Sequence, residues 1–378
     1  MMGAVSASDT ANAVPKTIID TVIDTQGMTR RFGAFTAVDN LNLHIRRGEI
    51  FGFLGPNGCG KSTTNRMLTG LLSPSEGSVQ VLGQSLPQGG ERVRTRIGYM
   101  TQKFSLYDDL TVAENLHFIG EVYGLRGAVR KARVAELCRQ YELEALQRRL
   151  AGSLSGGQKQ RLALAAAVIH QPELLFLDEP TAAVDPQNRR EFWEQLFDLS
   201  AAGTTILVAT HYMDEAERCH RIGIMQDGRM RLTGAPAQLM SEMGGAVFEV
   251  DGAHLRQLKL HLLGLTSVIS AAQLGARLRV LGSHAEAEPL PFLQQQVRQF
   301  DTQMDAQHHA EIDANSMRAD SDARTIQPVR PSLEDVFVLA TGPQTMSSAG
   351  SREAIISDKP SEKTSDNTKR DRGDNSDV

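Results

Sequence analysis

The chain has 378 residues, enough for one full α/β domain with a sizeable core and a second, smaller unit. Its 40 Lys and Arg against 45 Asp and Glu leave a net charge of −5 without a dense basic stripe, which argues against a nucleic-acid partner. Cys59, Cys138 and Cys219 form no metal-ligand spacing and suit a reducing compartment, and the longest apolar run, Leu162 to Ile169, is far short of the roughly 20 residues that cross a bilayer.

Residues 1–18 are rich in Ala, Ser and Thr and lack a basic stretch leading into an apolar one, so they read as a loose leader rather than a secretory signal. A main domain is expected over 19–240. Strands near Val22–Asp24 and Leu41–Ile45 open an antiparallel flap, and Ile50 to Leu54 form a strand feeding Gly55-Pro56-Asn57-Gly58-Cys59-Gly60-Lys61-Ser62-Thr63. The glycines of that loop let backbone N–H groups curl around phosphate oxygens, Lys61 adds a point charge, and Ser62 offers a hydroxyl to Mg²⁺. A helix expected over Ser62 to Thr69 points its positive end at the same oxygens. Cys59 is either a thiol activated by Lys61 and the helix N-terminus or a tolerated small residue; Cys138 and Cys219 read as small helix residues.

Next comes a short β-like run, Arg96 to Met100, followed by Gln102. From 103 to 151 the pattern turns helical, with Val112, Leu116, Ile119 and Val122 near helix spacing and a charged surface at Arg130-Lys131 and Arg133. Leu154-Ser155-Gly156-Gly157-Gln158 follows, which taken alone suits a glycine turn before a helix. Leu174 to Leu177 form a buried strand closed by two acids, Asp178 and Glu179, and Thr205 to Ala209 form another, followed by His211. Ligands of a doubly wound sheet bind at the carboxyl ends of its strands, so Gln102, Asp178 and His211 are expected to converge with the phosphate loop.

Beyond about Pro236 a second unit is expected over 245–342. Phe248–Val250, Ala253–Leu263, Arg277–Val280, Pro291–Phe300 and Thr325–Val329 read as strand, helix, strand, helix, strand, a small α+β sandwich. The polar stretch 301–324, with His308-His309, reads as a solvated insertion in preference to a metal site. Residues 347–378 carry almost no apolar side chains and are expected to be disordered.

The phosphate loop, Leu154–Gln158 and Leu174–Glu179 occur in an order that, from Thr29 to about Pro236, resembles the nucleotide-binding subunit of ABC transporters. The resemblance implies an α/β P-loop NTPase cassette: a core sheet, an antiparallel flap and a helical subdomain over about 103–151. It implies ATP and Mg²⁺ as ligands. Phe32, in Arg30-Arg31-Phe32-Gly33, looks like the aromatic on which adenine stacks, with Phe35 as the competitor. Lys61 and the loop amides would carry the γ-phosphate charge, Asp178 would hold Mg²⁺ from its outer shell, and Glu179 would orient and deprotonate the attacking water. Gln102 would touch metal and water, and His211 the γ-phosphate. Leu154–Gln158 is similar to the signature segment, whose Ser155 and Gly157 complete the opposite subunit's site in a homodimer or cassette heterodimer. Asp185, in Ala182-Ala183-Val184-Asp185-Pro186, resembles the D-loop aspartate, although the commoner wording has Ser-Ala-Leu before it.

Tyr107 to Thr111 lies where such subunits receive a coupling helix from the membrane subunit, while also reading as an N-capped helix start. Pro331 to Phe337 resembles a closing segment of ABC-2 type cassettes, including daunorubicin-resistance exporters. That implies export of a drug-like, lipid or polysaccharide substrate through separate permease subunits, with this chain on the cytoplasmic face of the membrane. An importer subunit shares the catalytic residues and is disfavoured by the closing segment. A soluble, non-transport cassette ATPase fits less well, because ribosome-associated relatives carry two signatures and DNA-repair relatives a long coiled coil before theirs.

Overall fold

The computed structural model describes residues 21–182, 184–283, 288–311 and 324–342. The expected leader, the 347–378 tail and half of the polar insertion, 312–323, lie outside the described residues, as do the side chains of His308 and His309.

The chain opens with a long hairpin, β1 (Thr21–Phe32) and β2 (Phe35–Arg46), and continues through β3 (Ile50–Leu54) and α1 (Lys61–Leu68) to β4 (Glu76–Val81) and β5 (Gln84–Ser85). β2, β1, β4 and β5 form an antiparallel sheet in that order. This is the expected flap, with strands longer than the apolar runs suggested. In β2, Leu41, Leu43 and Ile45 are buried while Asn42, His44 and Arg46 are exposed, the alternation of a sheet covered on one face.

After α2 (Gly90–Arg94) and β6 (Ile97–Met100) the chain leaves the sheet for α3 (Val112–Val122), α4 (Gly127–Gln140), two short 3₁₀ turns and α5 (Gly156–Ala167). It returns through β7 (Leu174–Asp178), α6 (Pro186–Ala201), β8 (Thr205–Thr210), α7 (Met213–Ala216), β9 (Arg221–Gln226), β10 (Arg229–Gly234) and α8 (Pro236–Ser241). The second sheet has the order β10-β9-β3-β8-β7-β6; β9, β3, β8, β7 and β6 run parallel, and β10 pairs antiparallel at the edge. Both its faces are covered, so β3 and β8 are buried throughout, with apolar side chains in their interiors. The pleat divides them: Phe51, Phe53, Phe176 and Leu207 pack toward the flap, whereas Ile50, Leu54, Leu175, Leu177, Ile206 and Val208 pack toward the helices.

The C-terminal part contains β11 (Ala246–Asp251), α9 (Leu255–Leu263), β12 (Val268–Leu274), β13 (Arg277–Gly282), α10 (Pro289–Glu311), β14 (Ile326–Pro328) and α11 (Leu333–Thr341). Its antiparallel sheet, β12-β13-β11-β14, packs through Phe248, Val250, Leu278 and Val280 against Leu258 and Leu262 of α9 and Leu293, Val297 and Phe300 of α10. Two features differ from the sequence reading. β12 is an additional strand, whose half-exposed Val-Ile-Ser-Ala-Ala-Gln-Leu lacks a clear alternation, and α10 continues to Glu311, past the expected helix end at Phe300 and into the stretch read as a solvated polar insertion.

α11 joins the two parts. Arg279 of β13 donates to Asp335 at 3.1 Å and 2.7 Å and to the Arg330 carbonyl at 2.9 Å, while Ser332 and Asp335 form a capping box at the start of α11. The apolar side of the helix turns the other way: Leu333 and Val336 are buried in the helix-side core of the main domain, alongside Leu239, Met240 and Met243. Its last carbonyl, that of Thr341, accepts from the Gln226 side chain at 3.0 Å.

Candidate nucleotide-binding site

The loop after β3 is shaped by what surrounds it. A Cβ on Gly55 would stand 2.4 Å from the Met225 carbonyl oxygen and 2.7 Å from Cys59 Sγ, so only glycine fits. Gly60, at φ 109°, is the left-handed residue that starts α1 and passes against the Ala37 carbonyl. The β9–β10 turn props the loop from below, with Gly228 N–H donating to the Cys59 carbonyl at 3.0 Å. Lys61 is buried, and its Nζ donates to the carbonyls of Gly55 (2.7 Å) and Pro56 (3.1 Å). The ammonium is thereby held directly against the loop.

The acids lie at the ends of the neighbouring strands. Asp178 closes β7, and its Oδ2 accepts from Ser62 Oγ at 3.3 Å. Burial raises the Asp178 carboxyl above the usual aspartate range and the adjacent Glu179 charge adds to this, against the Ser62 hydrogen bond and the Lys61 charge. Glu179 adopts a left-handed φ of 48°, a conformation that costs a non-glycine residue on the order of 1–3 kcal/mol and clusters at active sites. Its N–H donates to the Ala209 carbonyl at 2.8 Å, and the carboxylate receives Gln102 Nε2 at 2.6 Å. His211 Nδ1 approaches the other oxygen of Glu179 to 3.2 Å without the alignment of a hydrogen bond. Gln102, Glu179 and His211, which follow three adjacent strands, thus meet in one cluster.

Asn57, Gly58, Gly60, Lys61, Ser62 and Thr63 line one cavity together with Gln102, Asp178 and Glu179. Ser62, Gln102 and Asp178 present hard oxygen donors of the kind Mg²⁺ takes alongside phosphate. No group of three or more His, Cys, Asp or Glu among the described residues could hold a metal unaided. The cavity's aromatic residue is Phe35 rather than the expected Phe32. Phe32 and Phe35 are cross-strand partners in the β1–β2 hairpin, and the Arg30 guanidinium carbon lies 4.6 Å from the centroid of the Phe32 ring. The signal in Arg-Arg-Phe-Gly-Ala-Phe is thus a pair of rings at one hairpin tip.

The surroundings of Cys59 favour the small-residue reading over the activated thiol. Cys59 is 4% exposed in the core between the sheets, and its burial pushes the thiol pKa up against the lowering influence of Lys61. Cys138 and Cys219 are buried as well; Cys219 lies just beyond α7 rather than within a helix.

Ser155 caps α5, accepting from the Gln158 N–H at 3.4 Å while Gln158 Oε1 accepts from the Ser155 N–H at 3.1 Å. Leu154 anchors the segment in the core, and Gly157 lies against Asn188, which a Cβ would meet at 2.8 Å. Asn188 Nδ2 in turn donates to Asp185 Oδ2 at 2.6 Å, and this bond holds the Asp185 carboxyl below the usual range. Asn188 is a contact that motif reading missed; its only sequence signal is the Asp-Pro-Gln-Asn start of α6. None of Ser155, Gly157 and Asp185 lines the cavity of their own chain.

A family model described as ABC transporter matches residues 38–182. The chain is 46% identical over 223 residues to the probable multidrug ABC transporter ATP-binding protein YbhF of Escherichia coli (strain K12), a match covering 59% of this chain but only 39% of that protein. It is 40% identical over 253 residues to the Nod factor export ATP-binding protein I of Ralstonia nicotianae, covering 66% of this chain and 79% of the relative. Among solved structures, cbiO1 from Clostridium perfringens, part of the ABC transporter complex cbiONQ, aligns with a TM-score of 0.55 at 28% identity, covering 65% of this chain and 97% of that one. The dimeric structure of MJ0796, a bacterial ABC transporter cassette, aligns with a TM-score of 0.52 at 30% identity, covering 56% and 98%.

Proposed function

The chain belongs to the ATP-binding subunits of the ABC transporter family, and from that premise we propose that it hydrolyses ATP to drive export through separate membrane subunits. The observation carrying this reading is the cluster of Gln102, Glu179 and His211 beside the phosphate loop. Phosphoryl transfer to water is largely positioning and electrostatic stabilisation. The loop amides and Lys61 hold the phosphates. Ser62, Asp178 and Gln102 are the residues that would hold Mg²⁺, which when bound neutralises charge on the phosphate oxygens. Glu179, oriented by Gln102, accepts a proton from the attacking water, and His211 faces the same carboxylate from the β8 side. The base stacks at the Phe32–Phe35 hairpin tip.

Ser155, Gly157 and Asp185 lie off their own chain's cavity, which supports their acting on a second cassette across a dimer. Those residues then complete each site, and an isolated subunit turns over slowly. No helix among the described residues is long and apolar enough to cross a membrane, so the permease is assigned to other polypeptides, of ABC-2 type on the strength of the Pro331–Phe337 segment. This assignment places the subunit against the cytoplasmic face of the membrane. Drug-like molecules, lipids and polysaccharides are the proposed substrate classes.

The test is co-purification from membranes with a multi-helix polypeptide, followed by reconstitution into vesicles. ATP-dependent movement away from the nucleotide side is expected. Movement toward that side would favour an importer, and activity without any membrane partner a soluble ATPase.

A further inference from the structure

Glu215 is a buried acid to which the chemistry above assigns no task. It lies in α7, four positions after His211, and is fully buried. One carboxyl oxygen accepts from the Thr181 hydroxyl, and the other is buried with no partner among the described residues. Thr210, whose hydroxyl accepts from Tyr212 N–H at 3.0 Å, flanks the same carboxyl. Thr181 and Thr210 are themselves fully buried. Two further links tie the same segments: Tyr212 O–H donates to the Ala182 carbonyl at 3.4 Å, and Arg189 reaches Asp214 at 3.1 Å with its guanidinium 4.7 Å from the Tyr212 ring.

These contacts join two stretches that have already left the sheet. β7 ends at Asp178 and β8 at Thr210; the Glu179 N–H still bonds the Ala209 carbonyl, but past that bond no strand pairing among the described residues ties Thr181 or Asp185 to the turn bearing His211. Burying an acid is costly unless its hydrogen bonds repay it, and an apolar side chain would fill the same space without that cost. We propose that Glu215 is a positioning residue: through Thr181 it holds the segment from Glu179 to Asp185 against the turn bearing His211. Glu179 and His211 are thereby kept in contact, and Asp185 is presented at a set place for the partner cassette. Glutamine keeps the length of the side chain and an oxygen that can accept from the Thr181 hydroxyl, so it should do the same work.

The proposal rests on the ATPase reading for its kinetic consequence but not for its structural one, and the test separates the two. Glu215→Gln, Glu215→Ala and Thr181→Val are made in the full chain; the last removes only a hydroxyl and covers the case in which the alanine variant does not fold. Backbone hydrogen exchange is followed for peptides spanning 179–185, with α1 as internal reference. Thr181→Val and Glu215→Ala should speed exchange over 179–185 by about tenfold or more while α1 is unchanged, and Glu215→Gln should match the parent. With the partner subunits present, the first two should lower kcat by about tenfold with ATP affinity within about twofold, the pattern of lost positioning rather than lost binding.

Unchanged exchange over 179–185 in Thr181→Val overturns the inference, as does loss of protection across α1 to the same degree. Faster exchange confined to 179–185 in a protein that hydrolyses no ATP would uphold the positioning role and overturn the ATPase reading instead.

Discussion

Glu179 combines a left-handed backbone, burial and contact with both Gln102 and His211. Replacing it with glutamine keeps the shape and removes the base, so Glu179→Gln should bind ATP normally while turnover falls ~10²–10⁴-fold, measured by phosphate release against nucleotide affinity. At the hairpin tip, Phe32→Ala and Phe35→Ala should each weaken ATP binding in part and the double variant by roughly 5–150-fold, the worth of one base stack at about 1–3 kcal/mol. Titration with a fluorescent nucleotide reads this directly, and an unchanged double variant would remove adenine from the tip. The polar groups of the site were legible in the sequence because loop chemistry fixes their type and spacing. Burial was not. Cys59 occupies a position whose neighbours suggest a reactive thiol, yet its side chain packs inward against Gly55, which local sequence does not encode. Glu215 reads as one more acid on a charged helix until Thr181 is seen beside it.

The signature segment is at once a helix start and, in the proposed dimer, part of another molecule's site. Ser155→Ala removes the cap of α5, which should cost about 1 kcal/mol in urea unfolding of the isolated subunit. The same change should lower turnover of the assembled transporter well beyond that effect while leaving ATP affinity of the lone subunit intact. Equal activity in the assembled state would confine Ser155 to capping. The strands that lead into the site were legible for a physical reason: strands buried on both faces read as unbroken apolar runs, as in Ile50–Leu54 and Leu174–Leu177, whereas β4, β9 and β10 were not read. β12 escaped because most of its residues are only half covered, so neither alternation nor an apolar run marks it.

At the scale of the molecule, α11 is the closure between the parts. Burial alone would raise the Asp335 carboxyl, but the Arg279 guanidinium and the Ser332 N–H and hydroxyl outweigh it and hold the pKa below the usual range. A depressed carboxylate contributes stability that is present above its unfolded pKa of about 3.9 and lost as pH falls through the lower folded value. Trp193, the only tryptophan, is buried in the core that receives Leu333 and Val336, so its emission should report the helix leaving. Asp335→Asn should lower the urea midpoint at neutral pH and flatten the loss of stability below about pH 4. An acid limb identical to the parent's would assign that loss to other carboxylates. Motif reading placed Pro331–Phe337 in the C-terminal unit, since a helix's sequence shows which side is apolar but not what it meets. The meeting has a consequence during translation. Gln226 leaves the ribosome 115 residues ahead of Thr341, so each nascent chain passes through a stage in which the cassette is nearly folded while Leu239, Met240 and Met243 still lack the helix that packs beside them. A message truncated before Leu333 would hold its product in that stage, with the catalytic motifs intact and an apolar seam open to chaperones and proteases.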